Sequence, residues 1–468
     1  MFGYNKITND ETEYRYDSPD TRVLFGKSIQ ENRIPVWTSE KSHHPFVIFQ
    51  DTKNEKRIGI SKDMLAYGLV TFADPGGGKT NLLNSIFSEL LNVQQENDVI
   101  ICFDTKGDYF AEFQAQIPDN EKIVIGTGEE YRKVTGYYNI FREIMPVWED
   151  GKLVYTTDSD IDAFSISKQI FEKMDSQMQP IFPSMAAQIF CGVMVYMMRR
   201  YWRKDQSKLN NEELVRLLSQ STVKELRKIF EEEGMEDYRN CLGFMPENDK
   251  MTNGVMAYIA SVVREIFVGP FAEHNSQKEF AMREVVTGRK RVVFIEYDLK
   301  RGEALAPIYG VMIDRALANA LGGRQENRNN VYIMLDELLL LPELKNLSNS
   351  LNFGRSQGVK VLAGIQNISG LTDIYGEAGA KRILASFQNI FAFRVSDYDT
   401  RQILKERRGT NYENHSFTEW QKDVSIQREG YTVEDWDILS LKLGEVIVGL
   451  KDEKPFLFRI PKYRSRCS

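Results

Sequence analysis

One stretch constrains this chain more than any other: Leu69-Val-Thr-Phe-Ala-Asp-Pro-Gly-Gly-Gly-Lys-Thr-Asn81. Leu69 to Ala73 is a short apolar run of residues that favour strands. The glycines at 76 to 78 tolerate no regular element, and from Thr80 onward apolar residues recur at helical spacing. Strand, glycine loop, Lys-Thr and helix together make the context of a P-loop. Glycines let backbone N–H groups turn inward around a triphosphate, and the helix N-terminus favours negative charge. Ala73, Asp74, Pro75, Gly76, Gly77, Gly78, Lys79, Thr80 and Asn81 are therefore expected to cradle ATP. Lys79 would reach the β- and γ-phosphates and the Thr80 hydroxyl would bind Mg²⁺. Ala73 stands where a first glycine is usual, and its small side chain still permits close packing. A chance Lys-Thr after a glycine-rich turn explains less, because it leaves the flanking strand and helix unaccounted for.

At 468 residues the chain has room for two to three domains. Its 42% hydrophobic and 27% charged residues are those of an ordinary soluble globular protein, so more than one core is expected. Cys102, Cys191, Cys241 and Cys467 show no Cys-x-x-Cys spacing, which argues against a zinc site or a disulfide framework and fits a reducing cytoplasm. The adjacent His43 and His44 read as a surface turn rather than a metal site. The N-terminus has no apolar signal core. The most lipid-like stretch, Pro180 to Met198, is interrupted by Pro183, Ser184 and Gln188. Its continuous part, Ile189 to Met198, is too short to span a bilayer and reads as a buried core helix. A net charge of −7 argues against a surface that grips nucleic acid all over, but leaves room for a narrow lined channel.

Residues 1 to 20 are polar and acidic and are expected to be poorly ordered. Val23-Leu24-Phe25, Pro35-Val36-Trp37 and Phe46 to Phe49 suggest a small antiparallel sheet ahead of the P-loop. Asp98 to Phe103 is a buried-type strand ending in Asp104-Thr-Lys-Gly-Asp108. Such polar strand ends point into the crevice where α/β sheets bind ligands. Lys122 to Ile125 can form a third strand. Between Asp158 and Phe271 the period turns helical: at Ala163 to Met174, after the capping box Thr222-Val-Lys-Glu225, and over Val255 to Phe267. Strands resume at Arg291 to Glu296, Val331 to Leu335, Lys360 to Ile365 and Ile390 to Arg394, with a terminal hairpin from Gly444 to Leu450 and Pro455 to Arg459. The expected fold class is α/β: a nucleotide-binding domain with a mostly parallel central sheet, split by an inserted all-α domain. Its boundaries are 1–155 and 286–468 for the two parts of the α/β domain and 156–285 for the insertion.

Asp336 and Glu337 close an apolar strand, the second half of an ATPase site. Asp336 would hold Mg²⁺ through water and Glu337 would polarise the attacking water. Gln366 ends a strand expected beside the acidic one, where an amide can sense the γ-phosphate or orient water. Arg355 precedes that strand, and such an arginine can stabilise transition-state charge at a neighbour's phosphate.

The run Gly354-Arg-Ser-Gln-Gly-Val-Lys-Val-Leu-Ala-Gly-Ile-Gln-Asn-Ile-Ser-Gly-Leu371, with Tyr375-Gly-Glu377 and Ala385-Ser-Phe-Gln388, resembles the conjugative coupling proteins of the TraD/TraG type. These are DNA-pumping ATPases of conjugation and type IV secretion, related to the FtsK and HerA translocases. Asp104-Thr-Lys-Gly-Asp108 resembles their D-x-K-G-[DE] segment, and the spacings from Asp336 to Arg355 and from Glu337 to Gln366 resemble theirs. The resemblance covers about residues 20 to 460 and is weakest in the helical insertion. It implies a RecA-like fold and a hexameric ring with ATP and Mg²⁺ between subunits and DNA in the channel. It also implies a relaxase or other DNA-bound cargo, with Arg355 as the finger in trans and Gln366 as the sensor. Coupling proteins typically begin with transmembrane helices, which this sequence does not show. The expectation is a cytoplasmic protein that either borrows a separate membrane or secretion-channel partner or moves DNA in another role, such as element mobilisation or defence. An alternative of a different class is a nucleotide-gated platform that recruits protein cargo without tracking DNA. Tyr201-Trp-Arg-Lys204 is a candidate cargo contact, or simply rim packing.

Overall fold

The computed structural model describes residues 21–25, 45–51, 57–147, 151–171, 181–246, 249–322, 330–419, 422–451 and 453–464. The expectations placed on residues 1–20, Pro35 to Trp37, His43, His44, Met174, Pro180 and Cys467 lie outside them. The chain divides into two compact units: Met1–Gln95, Tyr332–Leu339 and Ser348–Ser468 form the first, and Glu96–Val331 with Leu340–Leu347 the second. In the first unit six strands follow one another from Phe456–Arg459 through Glu445–Gly449, Asn389–Ala392, Leu69–Phe72 and Val359–Ile365 to Val331–Leu335. The second unit has the strands Val99–Asp104, Arg291–Glu296 and Lys122–Ile125.

In the first unit the P-loop strand Leu69–Phe72 lies parallel to Val359–Ile365 on one side and to Asn389–Ala392 on the other. Every residue of these three strands is buried. Mostly apolar runs, here broken only by Thr71, Lys360 and Asn389, are what a parallel strand covered on both faces requires. The helix Lys79–Val93 buries Leu82, Leu83, Ile86, Phe87 and Leu90, one face at helical period. Each such side chain contributes about 1.5–3 kcal/mol by leaving water. The terminal hairpin is present, with Glu445–Gly449 antiparallel to both Asn389–Ala392 and Phe456–Arg459.

The expected single sheet ahead of the P-loop is instead two separate pairings. Val47–Gln50 pairs antiparallel with Arg57–Ile60. Thr21–Phe25 pairs with Thr410–Glu419, itself one arm of a long hairpin with Lys422–Tyr431. Alternation along a strand specifies which face is buried but not which distant strand completes the ladder, so the partner at 410–419 left no local mark.

In the second unit Arg291–Glu296 lies between Val99–Asp104 and Lys122–Ile125, parallel to both. The helical region consists of Thr157–Phe171, Ile181–Tyr201, Asn211–Gln220, Val223–Glu231 and Lys250–Ile266. The capping box is made as expected: Thr222 Oγ1 accepts from Glu225 N while Glu225 Oε2 accepts from Thr222 N. Ile181–Tyr201 runs well past the ten apolar residues that mark it in the sequence. It is long and apolar enough to cross a membrane, yet 72% of its apolar window is buried inside the protein, as a core helix requires.

Candidate nucleotide site

The site grows from the carboxyl ends of three strands of the first unit. Leu69–Phe72 runs into the P-loop, Val331–Leu335 into Asp336 and Glu337, and Val359–Ile365 into Gln366. Gly76 and Gly78 have φ of +79° and +118°, a left-handed backbone that turns the chain sharply into the helix. A Cβ on Gly78 would also stand 3.0 Å from the Phe393 ring. The loop is braced from outside. Asp74 N donates to Arg394 O, and the Asp74 carboxylate accepts from Ser396 N and Oγ at 3.0 and 2.6 Å. Asn81 is engaged elsewhere: its amide donates to Pro461 O and accepts from Tyr463 N, pinning residues 461–463 to the first turn of the P-loop helix. These braces were invisible in sequence, since Ser396 and Pro461 belong to no motif and lie hundreds of residues away.

Lys79 Nζ donates to Glu337 Oε2 at 2.6 Å, across 258 residues of chain. Gly364 makes this approach possible. A Cβ there would lie 2.1 Å from Asp336 O and 2.6 Å from Lys79 Cδ, so only hydrogen lets the lysine stem pass over the strand beside the acidic one. Asp336 and Glu337 are 4% and 5% exposed. Burial pushes the Glu337 carboxyl above the usual carboxylate range. The Lys79 ammonium and the Gln366 amide pull it back, and Asp336 adds to the rise. Glu337 Oε1 is buried without a hydrogen-bond partner, an acceptor held ready for a water.

The structure thus brings Lys79, Glu337 and Gln366 together, with Thr80 and Asp336 as chain neighbours. Arg355 stands apart. It lies on the helix Leu347–Gln357, before Val359–Ile365, while Gln366 follows it. Seven residues of strand put about 23 Å between the two ends. The residues present fit a nucleoside triphosphate with Mg²⁺: an open glycine loop, a lysine at its end, a hydroxyl and a carboxylate for the metal, and an orphaned acceptor beside them.

A second cluster lies within the other unit. The Asp104 carboxylate accepts from Lys106 N, Tyr109 N and Phe110 N, capping the helix Asp108–Phe113. Glu296, paired with Asp104 in the ladder, accepts from Tyr131 Oη at 2.7 Å. Burial and the nearby Asp104 carboxylate push Glu296 up to about 9, which favours its protonated form. It lines a cavity of about 530 Å³ with Lys106, Thr127, Tyr131 and Asp298. Of this cluster only Asp104 and Lys106, both in the Asp104-Thr-Lys-Gly-Asp108 segment, carried a motif signal.

Fold and site together define a RecA-like P-loop nucleotide-binding protein. A family model described as "Type IV secretion-system coupling protein DNA-binding domain" matches residues 57–415. The chain belongs to that family. It is 22% identical over 267 residues to the type IV secretion system-coupling protein VirD4 of Bartonella quintana (strain Toulouse), and 23% identical over 265 residues to its counterpart in Bartonella henselae. These alignments take in 56% and 54% of this chain but 42% and 41% of the relatives, so the chain spans about four-tenths of the length of the curated relatives it matches. Among solved structures it resembles the bacterial conjugative coupling protein TrwBdeltaN70 in complex with sulphate, with a TM-score of 0.74 at 17% identity over 96% of this chain and 97% of that one. TrwB in complex with ADP and Mg²⁺ gives 0.68 at 17% identity over 95% of each. At such identities the likeness shows the fold.

Proposed function

We propose that this chain is an ATP-driven translocase that moves DNA, or a DNA–protein complex, in conjugative transfer or type IV secretion. The observation that carries the reading is the meeting of Lys79 with Glu337 at 2.6 Å, beside Gln366, at the carboxyl ends of three strands. The P-loop from Ala73 to Asn81 holds the triphosphate, and Thr80 and Asp336 hold Mg²⁺, which supplies charge neutralisation at the phosphates. Glu337, rich in proton affinity and with one free acceptor oxygen, orients and activates water as a general base. Gln366 holds the Glu337 carboxylate or the water in register. Arg355, on the helix that leads into the far end of Val359–Ile365, is too distant to serve its own P-loop and acts on the nucleotide of an adjacent copy, and a hexameric ring is the assembly this implies. Membership of a family described by its DNA-binding domain supports DNA as the polymer moved. Residues 156–285 form the inserted all-α domain that helps to choose cargo, a relaxase or other DNA-bound protein. The setting is the cytoplasm, at the membrane face through a secretion-channel partner. Glu337→Gln tests this reading. It should bind ATP, lower kcat by about 10²–10⁴-fold, and stall on DNA. Retained turnover would sink the assignment of Glu337.

A second reading, a nucleotide-gated platform that recruits protein cargo, draws on the net charge of −7. It predicts that Glu337→Gln keeps cargo binding and that DNA leaves turnover unchanged.

A further inference from the structure

Arg355 has an unusual environment for an arginine with a role. Among the described residues its guanidinium forms no ion pair; it lies over the Tyr67 ring, 4.5 Å from the centroid. Stacking on an aromatic face holds a guanidinium in direction while leaving its N–H fork open, whereas a carboxylate would occupy the fork. Lys451 Nζ lies 3.6 Å from the same ring centroid. Two cations from separate elements thus meet on one tyrosine.

The platform is built to stay in place. Gln388 N donates to Tyr67 O, and Asn389 N to Gly68 O. The Asn389 side chain, 1% exposed, donates to Met64 O and Gly68 O and accepts from Lys451 N. One buried amide therefore ties the turn carrying Tyr67 to the turn carrying Lys451. The arginine's helix is fixed to the same turn. Gly68 has φ +68°, and a Cβ there would lie 2.8 Å from Leu351 Cδ2. Leu351 packs into that gap, and Arg355, four residues further along the helix, shares its face.

All of this stands at the amino ends of Leu69–Phe72 and Val359–Ile365, whereas the P-loop and Gln366 stand at their carboxyl ends. Arg355 is therefore placed to serve an anion outside this chain's own site, with Lys451 over the same ring. We propose that Tyr67 is the platform of an anion site in which Arg355 and Lys451 together receive the phosphate end of a nucleoside triphosphate held by a second copy of this chain. The proposal rests on the reading of Arg355 as a residue acting in trans. It adds Tyr67 as a positioning residue and Lys451 as a second cation.

The test is a kinetic cycle on the full chain, with ATP hydrolysis measured in the presence of DNA and the affinity for a fluorescent ADP analogue measured alongside. Tyr67→Leu keeps an apolar side chain but removes the ring face. It should lower kcat about fivefold with KM and ADP-analogue affinity unchanged, and Tyr67→Phe should restore the rate. Lys451→Ala should likewise lower kcat. In an Arg355→Ala background the Tyr67→Leu loss should disappear. Mixing Tyr67→Leu chains with Lys79→Ala chains, which carry an intact platform but a disabled P-loop, should recover turnover above the sum of the two alone. Full kcat in Tyr67→Leu or in Lys451→Ala, an equal Tyr67 loss with and without Arg355, a parallel loss of nucleotide affinity, or no recovery on mixing would each overturn the proposal. Full kcat in Arg355→Ala would instead remove the trans reading itself, and the platform with it.

Discussion

Glu337 and Glu296 are among the carboxyl groups that hold protons more tightly than their side chains ordinarily do, and they do so in different surroundings. Glu337 is raised by burial, with Lys79 and Gln366 opposing the rise, and the proposed base therefore has more proton affinity than an exposed carboxylate. The acid limb of the pH–kcat profile should therefore lie above the ordinary carboxylate range, with turnover rising as pH rises through it. Conversion of Glu337 to Asp should move that limb and conversion to Gln should abolish it. A limb that stays put in both variants would assign the titration to another group. Glu296 is raised to about 9, and its folded-state value lies above the unfolded value of about 4.3. The folded chain holds the extra proton, so the stability contributed is complete below about pH 4.3 and is lost as pH rises toward about 9, at no more than about 1.4 kcal/mol per pH unit. Glu296→Gln keeps a group that can pair with Tyr131 but cannot ionise. Denaturant melts of this variant should lose stability less steeply between pH 5 and 9 than the parent; identical slopes would show that Glu296 is not the group responsible.

At the scale of elements, the site depends on how closely two neighbouring strands and one lysine stem can pass. Gly364→Ala puts a methyl group 2.1 Å from the Asp336 carbonyl, a backbone atom that cannot swing aside. Overpacking of this kind costs about 1–3 kcal/mol, and here the strain falls on the contact that aligns Lys79 with Glu337. The variant should melt lower and lose nucleotide affinity as well as turnover. Loss of stability with normal nucleotide binding would show that the strand shifts without disturbing the lysine. The same scale separates what the sequence revealed from what it hid. The P-loop strand and helix, the acidic strand, the capping box at Thr222 and the terminal hairpin were legible because local period, caps and glycines determine them. The brace from Ser396 to Asp74, the clasp of Asn81 on residues 461–463 and the stack of Arg355 on Tyr67 were not. Each joins ordinary residues brought together only by the order of strands in the sheet. Val23-Leu24-Phe25 reads as extended and lies in the strand Thr21–Phe25, but its partner at 410–419 is hidden for the same reason.

For the whole molecule, the proposed function requires a chain of net charge −7 to work on a polyanion. Contact confined to a channel of the proposed ring would allow this, because phosphates would then meet a local lining rather than the mean surface. DNA affinity should fall steeply with salt, log K declining linearly with log salt concentration as counterions return to the phosphates. A flat response would exclude a channel that grips phosphate. The most direct measurement is steady-state ATP hydrolysis across a range of protein concentrations, with and without single- and double-stranded DNA, beside Lys79→Ala. The account predicts strong stimulation by DNA, cooperative in protein concentration and absent in the variant. Turnover that neither DNA changes would contradict it, and would point to a site that uses ATP to hold or release protein cargo.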